Sequence, residues 1–399
     1  MTNPSLPSEI LDYVTDLLHN EPETLEQCCL VSKSWLPRAR KYLFAVIKFS
    51  SASDLESWKK TFPDAANSPA YHARTLLVGC PRLVTASDAE EGGWIRAFSG
   101  VASLGVDDGQ RYIDAAEVSL APLHGFSPTL KSLRVCLIRF QQPQIFDLVH
   151  SFPLLENLSL AGRNRGPVGD DGDPHGLRTV VPSTSLSFTG SLDLKMRGGV
   201  WSAARPLLDL SNGLHFQKFT VLWDCKEDLR WIMGLVVTCS HTLELLDITH
   251  AFYRTSVGIC THTNGLILFL VGSGTASLNL SKATKLREAL FRPESKSVEW
   301  ITMALQTITP EHRDLRRISI YVPVHLTFSS VGANIGQYLG GVPSKWWSDL
   351  DHLLVRFWES CSIRPRVGCA RQGEEGQNTE YCIGCLLPEA TKRRIVDTV

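Results

Sequence analysis

A recurring six-residue pattern, apolar-x-x-apolar-x-apolar, constrains the fold of this 399-residue chain more than any other feature. The alternation that ends each hexad is typical of a short strand with one buried face. The clear copies are Leu130/Leu133/Val135, Leu155/Leu158/Leu160, Phe216/Phe219/Val221, Leu243/Leu246/Ile248 and Leu315/Ile318/Ile320. The looser copies are Ala73/Leu76/Val78, Thr189/Leu192/Leu194 and Leu286/Ala289/Phe291. The chain is therefore predicted to contain many short strands of one kind.

Apolar residues at helical spacing lie between several of these hexads. They are Ile145, Leu148 and Val149; Leu229, Ile232, Leu235, Val236 and Cys239; and Val298, Ile301, Leu305 and Ile308. Helices that alternate with single strands predict parallel strands joined by crossovers, and so an α/β fold. From Leu130 onward the hexads start 25, 34, 27, 27, 43 and 29 residues apart, and the shorter intervals approach the leucine-rich-repeat period.

We therefore predict an irregular leucine-rich-repeat-like βα solenoid over residues 51–363, in which each repeat buries its apolar face against its neighbours. The asparagine expected after each hexad is absent, so an ordinary α/β sheet stays open as an alternative. The glycine-rich and proline-rich residues 161–185 are predicted to form a surface loop. A helix that starts at Ser344 and carries Trp347, Leu350, Leu354, Phe357 and Trp358 is predicted to cap the last repeat. An exposed aromatic docking surface is the alternative for this helix. Residues 364–399 are predicted to be an irregular polar tail.

The first fifty residues have a different pattern, that of three short amphipathic helices. Pro7 suits a first helical turn, and Pro22 separates the first helix from the second. Apolar residues at helical spacing follow each start: Leu6, Ile10, Val14, Leu17 and Leu18; Leu25, Cys28, Cys29 and Leu30; and Trp35, Ala39, Leu43 and Phe44. Acidic residues come first in this segment and basic residues come last. Because three such helices are marginal alone, a partner is expected to cover their remaining apolar faces.

The string LPSEIL…PETLEQCCLVSKSWLPRARKYLF, within residues 6–47, resembles an F-box. The resemblance implies a three-helix module, residues 1–50, that binds the Skp-type adaptor of a cullin-RING ubiquitin ligase. The family's adaptor-facing positions fall on Leu6, Pro7, Ile10, Leu11, Leu25, Leu30, Val31 and Trp35. The alternative is that Trp35 and its neighbours are core residues of an N-terminal helical cap.

The rest of the chain resembles the C-terminal regions of the expanded F-box families of mushroom-forming fungi. The phrases that carry this resemblance include STSLSFTGSLDLKMRGG, LLDLSNGLHFQKF, CSHTLELLDITH and NLSKATKLREALF. Those regions are interpreted as divergent leucine-rich repeats. The resemblance implies a family but no substrate.

Composition argues against several classes of protein. Forty basic and forty-one acidic residues give no support to nucleic acid or an anionic membrane as the main partner. The N-terminus does not read as a secretory signal, and the longest apolar run, 266–271, is far shorter than the roughly 20 residues of a membrane helix. The eleven cysteines are then expected to be reduced thiols, in the cytoplasm or the nucleus.

Motifs that would carry chemistry are incomplete. Cys382 and Cys385, with Cys361 and Cys369 upstream, have one close pair where a zinc site usually has two. Asp170, Asp171 and Asp173 lack the spacing of an EF-hand loop, and Gly272 and Gly274 lack the rest of a nucleotide fingerprint. His241, His250 and His262 are expected to be satisfied or exposed rather than metal ligands. No catalytic residues, cofactor or metal are therefore predicted.

These observations favour a non-enzymatic substrate receptor of an SCF-type ligase. Its predicted partners are a Skp-type adaptor, through it a cullin-RING ligase, and an unknown target protein, with no nucleic acid and no membrane. One alternative is a repeat scaffold with a vestigial F-box that does not act in ubiquitin transfer. Another is a small zinc-stabilised or hydrolytic activity in the C-terminal third.

Overall fold

The structure, a computed structural model, is that of an α/β protein with N-terminal helices followed by parallel strands. It divides into two compact units, residues 1–187 and 188–399. It describes residues 7–64, 67–79, 95, 97–107, 121–126, 128–137, 142–163, 188–197, 200–210, 214–223, 228–250, 278–293, 299–323, 344–361, 363–370 and 387–394. Residues 164–185 of the predicted loop lie outside this set, and residues 161–163 end a strand.

The first unit begins with three helices and continues with strands and short helices. Its α-helices are α1 (Ser8–Leu17), α2 (Pro22–Val31), α3 (Leu36–Leu43), α4 (Ala52–Thr61) and α5 (Gln142–His150). Its strands are β1 (Val46–Phe49), β2 (Thr75–Val78), β3 (Ser103–Asp107), β4 (Ser132–Leu137) and β5 (Asn157–Arg163). Short 3₁₀ helices span Pro69–His72 and Ala121–Phe126.

The second unit alternates strands with helices more regularly. Its strands are β6 (Ser191–Arg197), β7 (Lys218–Trp223), β8 (Leu245–His250), β9 (Glu288–Arg292), β10 (Arg317–Pro323) and β11 (Arg364–Ala370). Its helices are α6 (Trp201–Leu208), α7 (Asp228–Cys239), α8 (Glu299–Gln306), α9 (Ser344–Cys361) and α10 (Pro388–Lys392).

Within each unit, every strand pairs in parallel with the next strand along the chain. The register places equivalent hexad positions side by side, as in the row Leu104, Leu133 and Leu158 and the row Leu192, Phe219 and Leu246. These side chains are buried, whereas their neighbours along each strand face away from the core. All eight predicted strands are therefore confirmed, and so is the α/β class.

Successive strands meet at a repeated backbone junction. In eight of the described strand pairs, one carbonyl before the first strand accepts hydrogen bonds from two consecutive N–H groups before or at the start of the next strand. Ala45 O, for example, accepts from Arg74 and Thr75 at 2.8 and 2.9 Å, and Gln217 O accepts from Glu244 and Leu245 at 2.7 and 3.0 Å. The other acceptors are Arg74, Ala102, Lys131, Gly190, Glu244 and Arg287. Eight junctions with one geometry show that the repeats share a backbone conformation although their sequences differ.

Three strands were not predicted, for different physical reasons. β1 carries Phe44/Ile47/Phe49, which fits the hexad but follows directly on α3, so that the predicted module boundary at residue 50 falls after a strand of the sheet. β3 also fits the hexad, but it contains Gly105, a residue type that weakens strands. The Cβ of any other residue at position 105 would lie 2.7 Å from Leu77 Cδ2. In β11, Pro365 takes a hexad position and hides the pattern.

Two predictions for the C-terminal region are wrong. The predicted helix is present as α9, with Trp347, Leu350, Leu354 and Phe357 buried, but β11 follows it and pairs with β10. The helix α9 is therefore a crossover between two strands rather than the cap of the last one. The tail from residue 364 is not irregular throughout, because it contains β11 and the short helix α10.

A buried carboxylate holds α10 against α9. Asp351 accepts hydrogen bonds from the backbone N–H groups of Glu389 and Ala390, both at 2.8 Å, while Leu387 and Ala390 are buried. Replacing Asp351 with alanine leaves those two donors without their acceptor, so we expect a loss of about 1–3 kcal/mol of stability. Hydrogen exchange of residues 387–394 should accelerate markedly. The matched control Asp349→Ala, on the same helix and half-buried, should leave this exchange unchanged; equal exchange in the two variants would contradict the assignment.

Candidate partner-binding surface on the N-terminal helices

Local sequence explains where the three N-terminal helices begin. Pro7 precedes α1, and Glu9 lies in its first turn, where a negative charge favours the positive helix end. Pro22 is the first residue of α2, a position where its missing N–H has no partner to lose, so it opens this helix rather than only separating it from α1. The helix α3 ends with Arg40 and Lys41 in its last turn, which suits the negative helix end.

The helix α3 organises the module, because both α1 and α2 pack against it. Asp16 of α1 accepts two hydrogen bonds from the Arg38 guanidinium, each 2.6 Å long, and one from the Tyr42 hydroxyl at 2.7 Å. These bonds favour the ionised carboxylate, and they lower the pKa of Asp16 from 3.8 to about 2. A bidentate ion pair with a third donor thus fixes the position of α1 relative to α3.

This arrangement gives the stability of the module a predictable acid dependence. Because the folded pKa of Asp16 lies below its unfolded value, its contribution is present above about pH 4 and is lost as the pH falls towards 2. The Asp16→Asn variant should therefore melt at a lower temperature than the unchanged protein at pH 5–6, and the difference should shrink towards pH 2. Thermal unfolding between pH 2 and 6 measures it. Asp12→Asn, which alters an exposed carboxylate on the same helix, is the matched control; a difference independent of pH would refute the role of the Asp16 ion pair.

The module rests on an aromatic cluster at the start of the sheet. Trp58 of α4 lies 4.6 Å from Phe62, 6.0 Å from Phe44 and 5.8 Å from Phe49 of β1, measured between ring centroids. The 3₁₀ helix Pro69–His72 also packs against α3. The inward side of α3 is therefore occupied within the first unit, while α1 and α2 present their outer sides to solvent.

Large apolar side chains are exposed on α1 and α2. The exposed fractions are 48% for Ile10, 63% for Tyr13, 63% for Leu17, 80% for Leu30 and 76% for Val31. Ten large apolar side chains are exposed in the described part of the chain, and these five fall within residues 8–31. We call them the exposed apolar set. Single exposed apolar residues are ordinary, whereas this concentration on two short helices makes them the candidate partner-binding surface of the described chain.

The predicted adaptor-facing residues divide into three groups. Ile10, Leu30 and Val31 belong to the exposed apolar set, and Pro7 is also exposed. Leu11 and Trp35 are half-buried, and Leu25 is buried, so these three hold the module together at least as much as they face a partner. Leu6 lies outside the described residues.

The exposed apolar set contains two residues that the sequence did not single out as contacts. Tyr13 was not assigned to any face, and Leu17 was placed in one stripe with Val14 and Leu18. The structure splits that stripe, since Val14 and Leu18 are half-buried whereas Ile10 and Leu17 are exposed, and Tyr13 is exposed as well. The spacing i, i+3, i+7 of the exposed three was the signal that could have found them, because it defines one side of a helix.

Candidate sites for other chemistry were sought across the described residues. His241 lies beside His215, with 2.9 Å between His215 Nδ1 and His241 Nε2, rather than beside His250, which contacts the Trp223 ring. No group of three or more possible metal ligands occurs among the residues that the structure describes. Cys382, Cys385, His262, the three aspartates at 170–173 and the glycines at 272 and 274 lie outside them.

In the described ranges, no helix combines the length and the apolar character that crossing a membrane requires. In comparisons with known proteins, no protein-family model matches the chain and no curated protein matches it.

Proposed function

We propose that this chain is a non-catalytic substrate receptor of an SCF-type ubiquitin ligase. In this proposal α1, α2 and α3 form an F-box that binds a Skp-type adaptor, and the strands that follow form a leucine-rich-repeat-like array that binds a target protein. The exposed apolar set carries the proposal. Three of its five members, Ile10, Leu30 and Val31, occupy positions where the F-box resemblance expects adaptor contacts.

The energy available from this surface is adequate for a stable complex. Burial of a Val, Leu, Ile or Tyr-sized side chain is worth roughly 1.5–3 kcal/mol, so five such side chains can support a specific interface after the cost of association. Helix-in-groove recognition uses anchors at i, i+3 and i+7, the spacing of Ile10, Tyr13 and Leu17.

The target would be contacted by the outward side of the strands. On β8, β9 and β10 this side carries a polar network. Arg292 Nη1 donates to Asp247 Oδ1 at 2.7 Å and to Thr249 Oγ1 at 3.0 Å, and its guanidinium lies 5.3 Å from the centroid of the Tyr321 ring. Side chains held in this way lose little entropy on binding, which suits a recognition surface.

The proposed mechanism is proximity. A receptor that holds a target beside the charged conjugating enzyme raises the effective concentration of the target's lysines and needs no catalytic group of its own. Since such ligases act in the cytoplasm and the nucleus, the proposal places the protein in one or both.

Reconstitution tests the proposal. The full chain, a Skp-type adaptor from a mushroom-forming fungus and a cullin are purified and combined, and the expected result is a stoichiometric ternary complex in size-exclusion chromatography. Absence of adaptor binding by the folded chain would overturn the proposal. A complex with the adaptor that never recruits the cullin would instead favour the scaffold with a vestigial F-box.

A further inference from the structure

Charge is segregated between the helices of the N-terminal module. Residues 8–31, which include α1 and α2, contain six acidic residues and no lysine or arginine. Residues 32–43, which include α3, contain Lys33, Arg38, Arg40 and Lys41 and no acidic residue. The formally charged side chains of α1 and α2, the helices that carry the exposed apolar set, are therefore all acidic.

Five of the six carboxylates are exposed: Glu9, Asp12, Glu21, Glu23 and Glu26. Asp16 is bound to Arg38, but none of these five forms an ion pair with another described residue. Several surface carboxylates outside this module do lie beside cations, as in the pairs Glu156–Lys131, Glu244–Arg287, Asp247–Arg292 and Glu288–Arg317. Exposed carboxylates without an ion-pair partner among the described residues are thus concentrated in residues 8–31, the segment that carries the exposed apolar set.

The acidic residues of α1 lie directly beside its exposed apolar side chains. Glu9 precedes Ile10, and Asp12 precedes Tyr13, so each is displaced by about 100° to the same side of the helix. Glu9 and Asp12 are three residues apart and form a row that flanks the line Ile10, Tyr13, Leu17. A partner that covers this line must also face that row.

We propose that the occupant of α1 is an apolar groove on the adaptor that is bordered by lysine or arginine side chains. The identity of the partner rests on the proposed function; the chemistry of its groove rests on the apolar line and the acidic row. The carboxylates attract the lysine or arginine side chains around the groove before contact is made. The apolar side chains of α1 are then buried in the groove. Tyr13 and Leu17 are part of the contact although the F-box resemblance does not include them.

Two synthetic helical peptides test the chemistry without the adaptor. Both are about four turns long and carry the same leucine stripe, flanked by lysine in one and by glutamate in the other. In fluorescence anisotropy with the full chain at 50 mM salt, the lysine peptide should bind at least about tenfold more tightly, and the gap should narrow at 500 mM, where charges are screened. Tyr13→Ala/Leu17→Ala should weaken the lysine peptide about tenfold. Equal binding of the two peptides, or preference for the glutamate peptide, overturns the inference.

The rate of association with the adaptor provides the second test. Two variants each remove three charges, one from the acidic residues of 8–31 and the other from the basic residues of 32–43. Glu9→Gln/Asp12→Asn/Glu26→Gln should slow association with the adaptor about tenfold at 50 mM salt, whereas Lys33→Gln/Arg40→Gln/Lys41→Gln should not slow it. Slower association in the second variant alone overturns the inference and leaves the proposed function standing. Failure of the unchanged chain to bind the adaptor overturns the proposed function, and the peptides still decide the chemistry. A concentration-dependent dimer that is lost in Tyr13→Ala/Leu17→Ala would overturn it in favour of a second copy.

Discussion

Replacing Tyr13 and Leu30 together with alanine is expected to weaken adaptor binding about 100-fold or more. Both side chains are exposed in the free chain and would be buried in the complex. Their removal forfeits roughly 3 kcal/mol of contact, and tyrosine is among the residue types that dominate interface energy. Alanine is the best helix former, so α1 and α2 should keep their structure.

Isothermal titration calorimetry with the adaptor measures this loss directly. Leu154→Ala is the matched control, because Leu154 is also exposed and belongs to the same unit, but lies outside the helical module. The control should bind with unchanged affinity, and circular dichroism should show the same helix content in all three proteins. A double variant that keeps its affinity within about threefold would show that the exposed apolar set is not the adaptor interface.

The second large effect is expected in the core of the second unit. Phe219 lies in the middle of β7, fully buried, in register with Leu192 and Leu246 on the neighbouring strands. Substitution by alanine removes most of a buried aromatic side chain from a packed row, and the rigid neighbours cannot close the space. We therefore expect Phe219→Ala to lower the free energy of unfolding by about 3–5 kcal/mol.

Urea unfolding followed by tryptophan fluorescence reports this change, because Trp223 on the same strand is buried. Thr220→Ala is the control, since Thr220 points to the opposite side of the strand and is half-buried. It should cost no more than about 0.5 kcal/mol. Similar losses in the two variants would contradict the division of each strand into a core side and an outward side.

The sequence predicted the strands within the array better than the first and last strands, β1 and β11. Hexads such as Leu133/Val135 predict strands because the alternation requires one buried side, and the parallel order follows from the helices between them. Pro365 interrupts that pattern and Gly105 weakens the local preference for a strand, yet both residues lie in register with the neighbouring strand of the sheet. Tertiary pairing outweighed local preference at these positions.

The sequence indicated which helices carry the candidate site, but not which of their side chains are exposed. The F-box resemblance placed contacts on α1 and α2, but it could not separate Leu25, which is buried, from Leu30, which is exposed. Both are leucines on one helix, and only the position of α3 decides which of them faces inward. The ion pair between Asp16 and Arg38 joins residues 22 positions apart, beyond what spacing along one helix can reveal.

The uniform junction between strands has a consequence for how such a chain changes over generations. Each junction is made by main-chain atoms, one carbonyl facing two consecutive N–H groups, so it excludes proline at the two donor positions but requires no particular side chain. If a whole repeat is duplicated or deleted, the same backbone hydrogen bonds can form at both of its boundaries. Chains of this architecture can therefore gain, lose or vary whole repeats while the hydrogen bonds at the junctions stay the same.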